Sequence, residues 1–185
     1  LTAFPGCDAC RPIFLVCLLY KSSESLYSES GKFKKAKQSF QKMGGYYMKA
    51  VEEVYAFVQD VVKKTGAFYL ATQDGDQPRV RPFGAIDLID GKLYIQTGRK
   101  KDVFQQMLKN PKVEICACAD DKWIRIAAVV VDDDRVEVKK KVLDDIPVLR
   151  NIGYSEHDEN TKVLYLKNAT ATFFSFTGAP RTVRF

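Results

Sequence analysis

Two groups of cations in this chain have the types and spacing to hold an anion. Arg79 and Arg81, in QPRVRPFG, lie two apart, so on a strand both side chains leave the same face. The second group is Gln96-Thr97-Gly98-Arg99-Lys100-Lys101, which runs into a helical pattern. The positive end of a helix dipole repels cations, and three in a row there imply a negative charge that the chain does not supply. Free backbone N–H groups at a helix start make an anion site, and Gly98 permits close approach. A phosphate, carrying roughly two negative charges, satisfies both groups. The plainer reading is a solvated basic rim with Asp102 offsetting the dipole, because charge runs are usually solvated faces. Convergence of the two groups on adjacent segments of a strand meander favours the phosphate. Lys139-Lys140-Lys141 has no such neighbour and reads as a solvated face.

A phosphate must be attached to something. Around Arg81, the residues Val80, Pro82, Phe83 and Gly84 are apolar or offer backbone hydrogen bonds. Pro82 and Gly84 suit a strand that bends or meets a ligand closely. A flat, phosphorylated, partly apolar cofactor fits, and flavin mononucleotide (FMN) is such a molecule. Trp123 is a candidate neighbour of its ring, although a lone Trp starting a strand also serves in cores and interfaces. No acid/base residue stands out, since Asp87, Tyr94 and His157 can each be read as strand, core or loop residues, and catalytic residues stay unassigned. Without a Gly-rich dinucleotide fingerprint, NADH or NADPH would bind transiently, stacking on the flavin.

Composition narrows the remaining classes. The 185 residues are 46% hydrophobic, enough for one sizeable core in a single domain. The net charge of +6 is uneven: residues 1–47 hold seven Lys/Arg and three acids, leaving 22 and 20 for residues 48–185. A nearly neutral body argues against a nucleic-acid-binding barrel, which would use the same basic groups. His157 is the only histidine, which removes His-rich zinc sites and argues against a Ser/His/Asp triad. Cys7 and Cys10 have zinc or redox spacing but no second pair, so no metal is expected. Cys116 and Cys118 share a strand face, as two buried thiols would, and a reducing cytoplasm is the expected compartment.

The apolar stretch Ile13–Tyr20 is too short to span a bilayer and lacks a cleavage pattern, so neither a membrane anchor nor secretion is expected. Lys21–Gln41 is expected to be poorly ordered or loosely helical. At Met43-Gly44-Gly45-Tyr46-Tyr47-Met48 the character changes. Gly-Gly codons can spell a ribosome-binding sequence, so residues 1–47 read as an N-terminal extension or translated leader, with a domain over 48–185.

From Met48, Val51, Val54, Tyr55, Val58, Val61 and Val62 recur at helical spacing, and Gly66 is placed to end the helix. Strands are expected over Ala67–Thr72, Arg79–Ile89 and Leu93–Thr97, joined at Asp74-Gly75 and Asp90-Gly91 into a three-stranded meander. A short helix follows, with Phe104, Met107 and Leu108 on one side and Asn110-Pro111 as its stop. Val113–Ala119 and Trp123–Val131 form a hairpin. Val136–Leu143 and Ile146–Ile152 read as helical, and Val163–Thr177 as closing strand, with Asn168-Ala169-Thr170 as plain strand sequence rather than a glycosylated sequon. A mainly β fold results, a closed or partly open β-barrel of six strands with flanking helices.

The order of FYLATQDGDQPRVRPFG, GKLYIQTGRKKDVFQQMLKNPKVEICA, DKWIRI and VLYLKNATATFFSFTG resembles the pyridoxamine 5'-phosphate oxidase-like family of FMN-binding split barrels, over Met48–Phe185. The resemblance implies a six-stranded, Greek-key-like split barrel that forms a homodimer with FMN at the interface. By position, Arg81 matches the family's phosphate-binding strand Arg, Thr97 its hydroxyl, and Lys100 and Lys101 its basic pair. Pro82 and Phe83 fall beside the flavin ring. The cofactor-binding set is thus Arg79, Arg81, Pro82, Phe83, Gln96, Thr97, Lys100, Lys101 and Trp123. The chain ends TGAPRTVRF and lacks the family's terminal Arg-x-His segment, so oxidation of pyridoxamine phosphate itself is not expected. The implied activity is that of an FMN-dependent flavin- or nitro-reductase acting on a small-molecule substrate, or else a non-enzymatic FMN-binding, electron-transfer protein.

Overall fold

The computed structural model describes residues 31–185, with side chains from Gly44 onward. The expectations for Cys7, Cys10, Ile13–Tyr20 and the part of Lys21–Gln41 before residue 31 lie outside the described residues. The compact unit considered below is Gly44–Phe185. No helix among the described residues is long and apolar enough to cross a membrane.

Helix α1 (Gly31–Thr65) carries the expected stripe: Val51, Val54, Val58 and Val61 are all buried, because three- and four-residue steps keep them on one face. Gly66 closes it with φ +85° and an N–H bond of 2.8 Å to the Val62 carbonyl, a left-handed conformation that suits glycine.

Eight strands follow: β1 (Phe68–Asp74), β2 (Gln77–Phe83), β3 (Ile86–Ile89), β4 (Lys92–Gly98), β5 (Lys112–Ala119), β6 (Lys122–Asp132), β7 (Thr161–Ser175) and β8 (Arg181–Arg184). Helix α2 (Asp102–Lys109) joins β4 to β5, and α3 (Val136–Asp145) and α4 (Val148–Asn151) lie between β6 and β7. The strands pair antiparallel in the order β2-β1-β5-β6-β7-β4-β3, with β8 added to β7.

Two strands beyond the expected six come from identifiable places. Arg79–Ile89 is not one strand but two, β2 and β3, broken at Gly84-Ala85 and unpaired with each other. The meander therefore does not form. Pro78 and Pro82 lack the N–H that a second ladder would need, and both face β1 partners, Gln73 and Tyr69, at alternate positions of the register. Antiparallel pairing alternates bonded and non-bonded positions, so both prolines fall at the latter and Val80 keeps the outward-pointing N–H on that stretch of edge. The second addition, β8, is a four-residue strand that covers β7 and buries Val183 and Phe185.

β2 and β3 stand at opposite ends of the strand order, yet Gly84-Ala85 alone joins them. A two-residue link spans only about 10 Å, so the sheet curls until its edges approach without pairing. The result is a barrel left open along one seam. Ile86, Leu93, Ile95, Ile115, Ile124 and Ile126 fill it against the α1 valines and Val103, Phe104 and Met107 of α2. Leu108 is exposed, contrary to expectation, and Val103 takes its place on the buried side of α2. Lys139 is not solvated either: it is buried, with Nζ 2.6 Å from Asp134. The sequon lies at a bend, with Asn168 at φ +53° beside the shift in register between Ala127 and Val129.

Asp87 on β3 is 3% exposed, accepts the Leu88 N–H through Oδ1 at 2.8 Å and leaves Oδ2 without a hydrogen-bond partner among the described residues. Burial, reinforced by the Asp145 carboxylate, pushes its carboxyl up to about 6, against the opposing Leu88 bond and Lys141 charge. Tyr55 of α1 faces the same pair. A carboxyl raised above its unfolded value binds its proton more tightly when folded, so its contribution is lost as pH rises through about 6. The thermal midpoint is expected to rise on acidification from pH 7 to pH 5, and Asp87→Asn to flatten that rise. An unchanged slope in the variant would remove Asp87 as its source.

Candidate anion site at helix α2

Arg79 and Arg81 do leave one face of β2. They pair with Thr72 and Leu70 and so point to the barrel's inner side, where α2 lies. Arg81 is half-buried. Its Nη1 donates to the Leu70 carbonyl at 3.1 Å, the Thr72 hydroxyl at 2.6 Å and the Arg79 carbonyl at 3.2 Å, and its Nη2 donates to Gln106 Oε1 at 2.7 Å. The Thr72 hydroxyl in turn donates to Gln106 Oε1 at 2.6 Å. Every acceptor is neutral, and no carboxylate pairs with Arg81 among the described residues. Burial, then the Arg79 charge, lowers the Arg81 guanidinium value, with Asp74 opposing. A guanidinium starts so far above neutrality that it remains cationic. Arg79 is exposed and sits 3.5 Å from Asp74.

The second group does not reach Arg81 through strand pairing, because β1, β5, β6 and β7 separate β2 from β4. Helix α2 makes the connection instead. Lys101 is its N-cap residue, and Gln106, one turn and a half along, holds Arg81. Five residues of helix advance about 7.5 Å. Gln106 and Thr72 were not singled out from the sequence, and a buried Gln on the apolar side of an eight-residue helix was the available signal.

On β4, Gln96 is buried and donates from Nε2 to the Thr97 carbonyl at 2.9 Å. Thr97 is 1% exposed and its hydroxyl has no partner among the described residues, which is uncommon for a buried polar group. Lys100 and Lys101 are exposed, and Lys101 Nζ lies 5.9 Å from the centre of the Tyr154 ring.

Two expectations about this turn are corrected. The backbone N–H groups of the basic run itself are taken: Arg99 donates to the Asn160 carbonyl at 2.8 Å, Lys100 to Asn160 Oδ1 at 3.1 Å and Lys101 to the Gly98 carbonyl at 3.0 Å, which leaves those of Asp102 and Val103, the first two helical residues, as the free N–H groups of the helix start among the described residues. Nor does the missing Gly98 side chain leave room for a ligand, since a Cβ there would meet Tyr154 Oη at 3.0 Å.

Phe83 is a core residue, its ring 5.9 Å from that of Phe68. Pro82 is exposed on the outer side with Tyr69 and Val80. Trp123 shares that outer side. It stacks on Phe174 with centroids 5.2 Å apart, beside Phe176, which is 80% exposed. It pairs with Cys118, whereas Arg81 aligns through Leu70 with Ile115, so the chain itself does not bring Trp123 to Arg81. Cys116 is half-buried and Cys118 exposed. They share a face as expected, but it is the outer one, and the inner positions go to Ile115 and Ala117.

That outer face holds a shallow groove of about 520 Å³ lined by Ala71, Glu114, Ala127 and Thr170, among others. Glu114, on its wall, pairs with Arg125 of β6.

A family model described as "Pyridoxamine 5'-phosphate oxidase" matches residues 54–174. The chain belongs to the pyridoxamine 5'-phosphate oxidase-like family. Its fold is that family's split barrel. A NimC/NimA family protein from Clostridium acetobutylicum superposes with TM-score 0.70 at 42% identity, over 76% of this chain and 96% of that one. General Stress Protein 26 from Bacillus anthracis shares the fold at 16% identity and TM-score 0.57, over 71% and 98% of the two chains. A pyridoxamine 5'-phosphate oxidase-related, FMN-binding protein from Nostoc punctiforme does so at 13% and 0.52, over 74% and 94%. A search of the curated proteins returned no match.

Proposed function

We propose that this chain is a homodimeric, FMN-dependent oxidoreductase that passes electrons from a reduced nicotinamide or similar donor to a small acceptor. The observation that carries the reading is Arg81, a half-buried cation aimed by Leu70, Thr72 and Gln106 with no carboxylate bonded to it among the described residues. A buried charge without a partner is costly, and a ligand phosphate relieves that cost. The orphaned Thr97 hydroxyl and the exposed Lys100 and Lys101 add a donor and two charges. Bound FMN supplies the redox chemistry, and the protein binds and orients it. Val80 offers its outward N–H at the open seam, with Pro82 beside it as an apolar surface. Trp123 joins such a site across a subunit interface formed by the outer face.

One observation favours a second reading, a flavin carrier or electron-transfer module. The residues able to move protons are engaged elsewhere: Asp87 lies under α1 and α3, Tyr94 donates to Asp133 at 3.1 Å, and His157 is exposed in the loop before β7. Reduction of bound flavin by NADH or NADPH, with reoxidation by an acceptor faster than by oxygen, separates the enzyme from the carrier.

The reading itself is tested by absorption. Freshly purified protein is expected to show flavin bands, or to acquire them with added FMN, and the released cofactor to be FMN. Protein that stays colourless with excess FMN overturns the assignment.

A further inference from the structure

Asn160, the residue before β7, closes the turn that carries the basic pair. Gly98 pairs with Thr161 in the last rung of the β4–β7 ladder. One step beyond, the Asn160 carbonyl takes the Arg99 N–H at 2.8 Å and its side-chain Oδ1 takes the Lys100 N–H at 3.1 Å. The side chain thus supplies an acceptor where the backbone ladder has run out. Asn160 is itself held, its N–H bonded to Asp158 Oδ1 at 2.9 Å, and the Thr161 N–H bonded to the Asp158 carbonyl at 3.0 Å.

The same loop reaches the turn twice more. Tyr154 Oη occupies the space left by Gly98, and the Tyr154 ring lies beneath Lys101 Nζ. From the other side, Gln105 Nε2 of α2 donates to the Arg99 carbonyl at 2.9 Å. Arg99 is drawn to Glu159 at 3.2 Å, which leaves Lys100 and Lys101 as the cations directed elsewhere. With their own N–H groups spent on Asn160 and Gly98, Lys100 and Lys101 can address an anion only by where the turn points their side chains.

We infer that Asn160 is a positioning residue for phosphate recognition: it fixes the 98–101 turn so that Lys100 and Lys101 converge on the phosphate held by Arg81. The inference rests on the FMN reading above. Its signature is selectivity, because riboflavin has the same ring system without the phosphate. A residue that only supports the barrel lowers affinity for both flavins together, or lowers the thermal midpoint.

The test measures dissociation constants for FMN and riboflavin by fluorescence quenching, in full-length wild type, Asn160→Ala and Arg81→Ala. Asn160→Ala removes one hydrogen bond and loosens the turn, so its FMN dissociation constant is expected to rise about tenfold. Its riboflavin constant should stay within about twofold, and its thermal midpoint close to wild type. If Asn160→Ala does not fold, Asn160→Gln displaces the amide by one methylene and carries the same expectation. Unchanged FMN affinity, or parallel loss for both flavins, overturns the assignment to Asn160. A wild type that does not prefer FMN to riboflavin, or an Arg81→Ala variant that binds FMN normally, overturns the phosphate site as well.

Discussion

Arg81→Ala is expected to raise the FMN dissociation constant about a hundredfold while leaving the fold intact. A guanidinium offers a planar pair of donors to phosphate, and charge-assisted bonds of this kind contribute about 1.5–3 kcal/mol each. Losing about 3 kcal/mol corresponds to about two decades in affinity. The barrel tolerates the change because the Thr72 hydroxyl still donates to Gln106 Oε1 at 2.6 Å, so neither buried group is stranded. Lys101→Ala should cost only a few-fold, since its exposed ammonium is screened by water and salt. Titration of each apoprotein with FMN, with circular dichroism as the fold control, gives the numbers. Wild-type affinity in both variants would show that the phosphate is bound elsewhere or not at all.

Ala127→Arg is expected to convert a dimer to monomers and to lose most bound flavin with it. Ala127 is exposed on β6 between Glu114 of β5 and Thr170 of β7, and it lines the outer groove. In the proposed dimer this face is covered by a second copy. A long cation there has no carboxylate reserved for it, since Glu114 already pairs with Arg125, and burying an unpaired charge costs several kcal/mol. Trp123, on the outer side and away from Arg81, reaches such a flavin only across that interface, so dimer and cofactor should be lost together. Light scattering after gel filtration, with the flavin absorbance recorded on the same peak, tests both parts. A variant that remains dimeric places the interface elsewhere, and a monomer with wild-type flavin affinity separates the cofactor from the interface.

Much of the local structure was legible beforehand. The Val51–Val61 stripe, the Gly66 stop and the turn at Asp90-Gly91 all formed, with Asp90 at φ +49° and Gly91 at φ +73° as a tight hairpin turn needs, and the turn expected at Asp74-Gly75 formed one residue on, at Gly75-Asp76. The shared face of Arg79 and Arg81 followed from alternation alone. The break at Gly84-Ala85 was partly signalled by Pro82 and Gly84, which marked an edge or bend without saying that two strands resulted. β8 was missed because four residues, RTVR, following a Gly and a Pro carry too short an alternation to read.

The candidate site divides in the same way. The types and spacing of Arg81, Thr97, Lys100 and Lys101 were visible as a demand for an anion. Gln106, Thr72 and Asn160 were not, because each acts through a partner far along the chain: Arg81 lies 25 residues from Gln106, and Lys100 lies 60 from Asn160.

From the sequence alone came the periodicities, the turns, the pattern of motifs that resembles one flavin-binding family, and the surplus of cations in search of a charge. These are properties of neighbouring residues, settled by backbone sterics and alternation within a few bonds. Only the tertiary structure decided that β2 and β4 are joined through α2 rather than paired, that the turn's N–H groups are already taken, that Gly98 makes room for Tyr154, and that Trp123 and both strand cysteines face outward. Those outcomes depend on which distant segments pack together, a competition over the whole core that leaves no mark in any local stretch of chain.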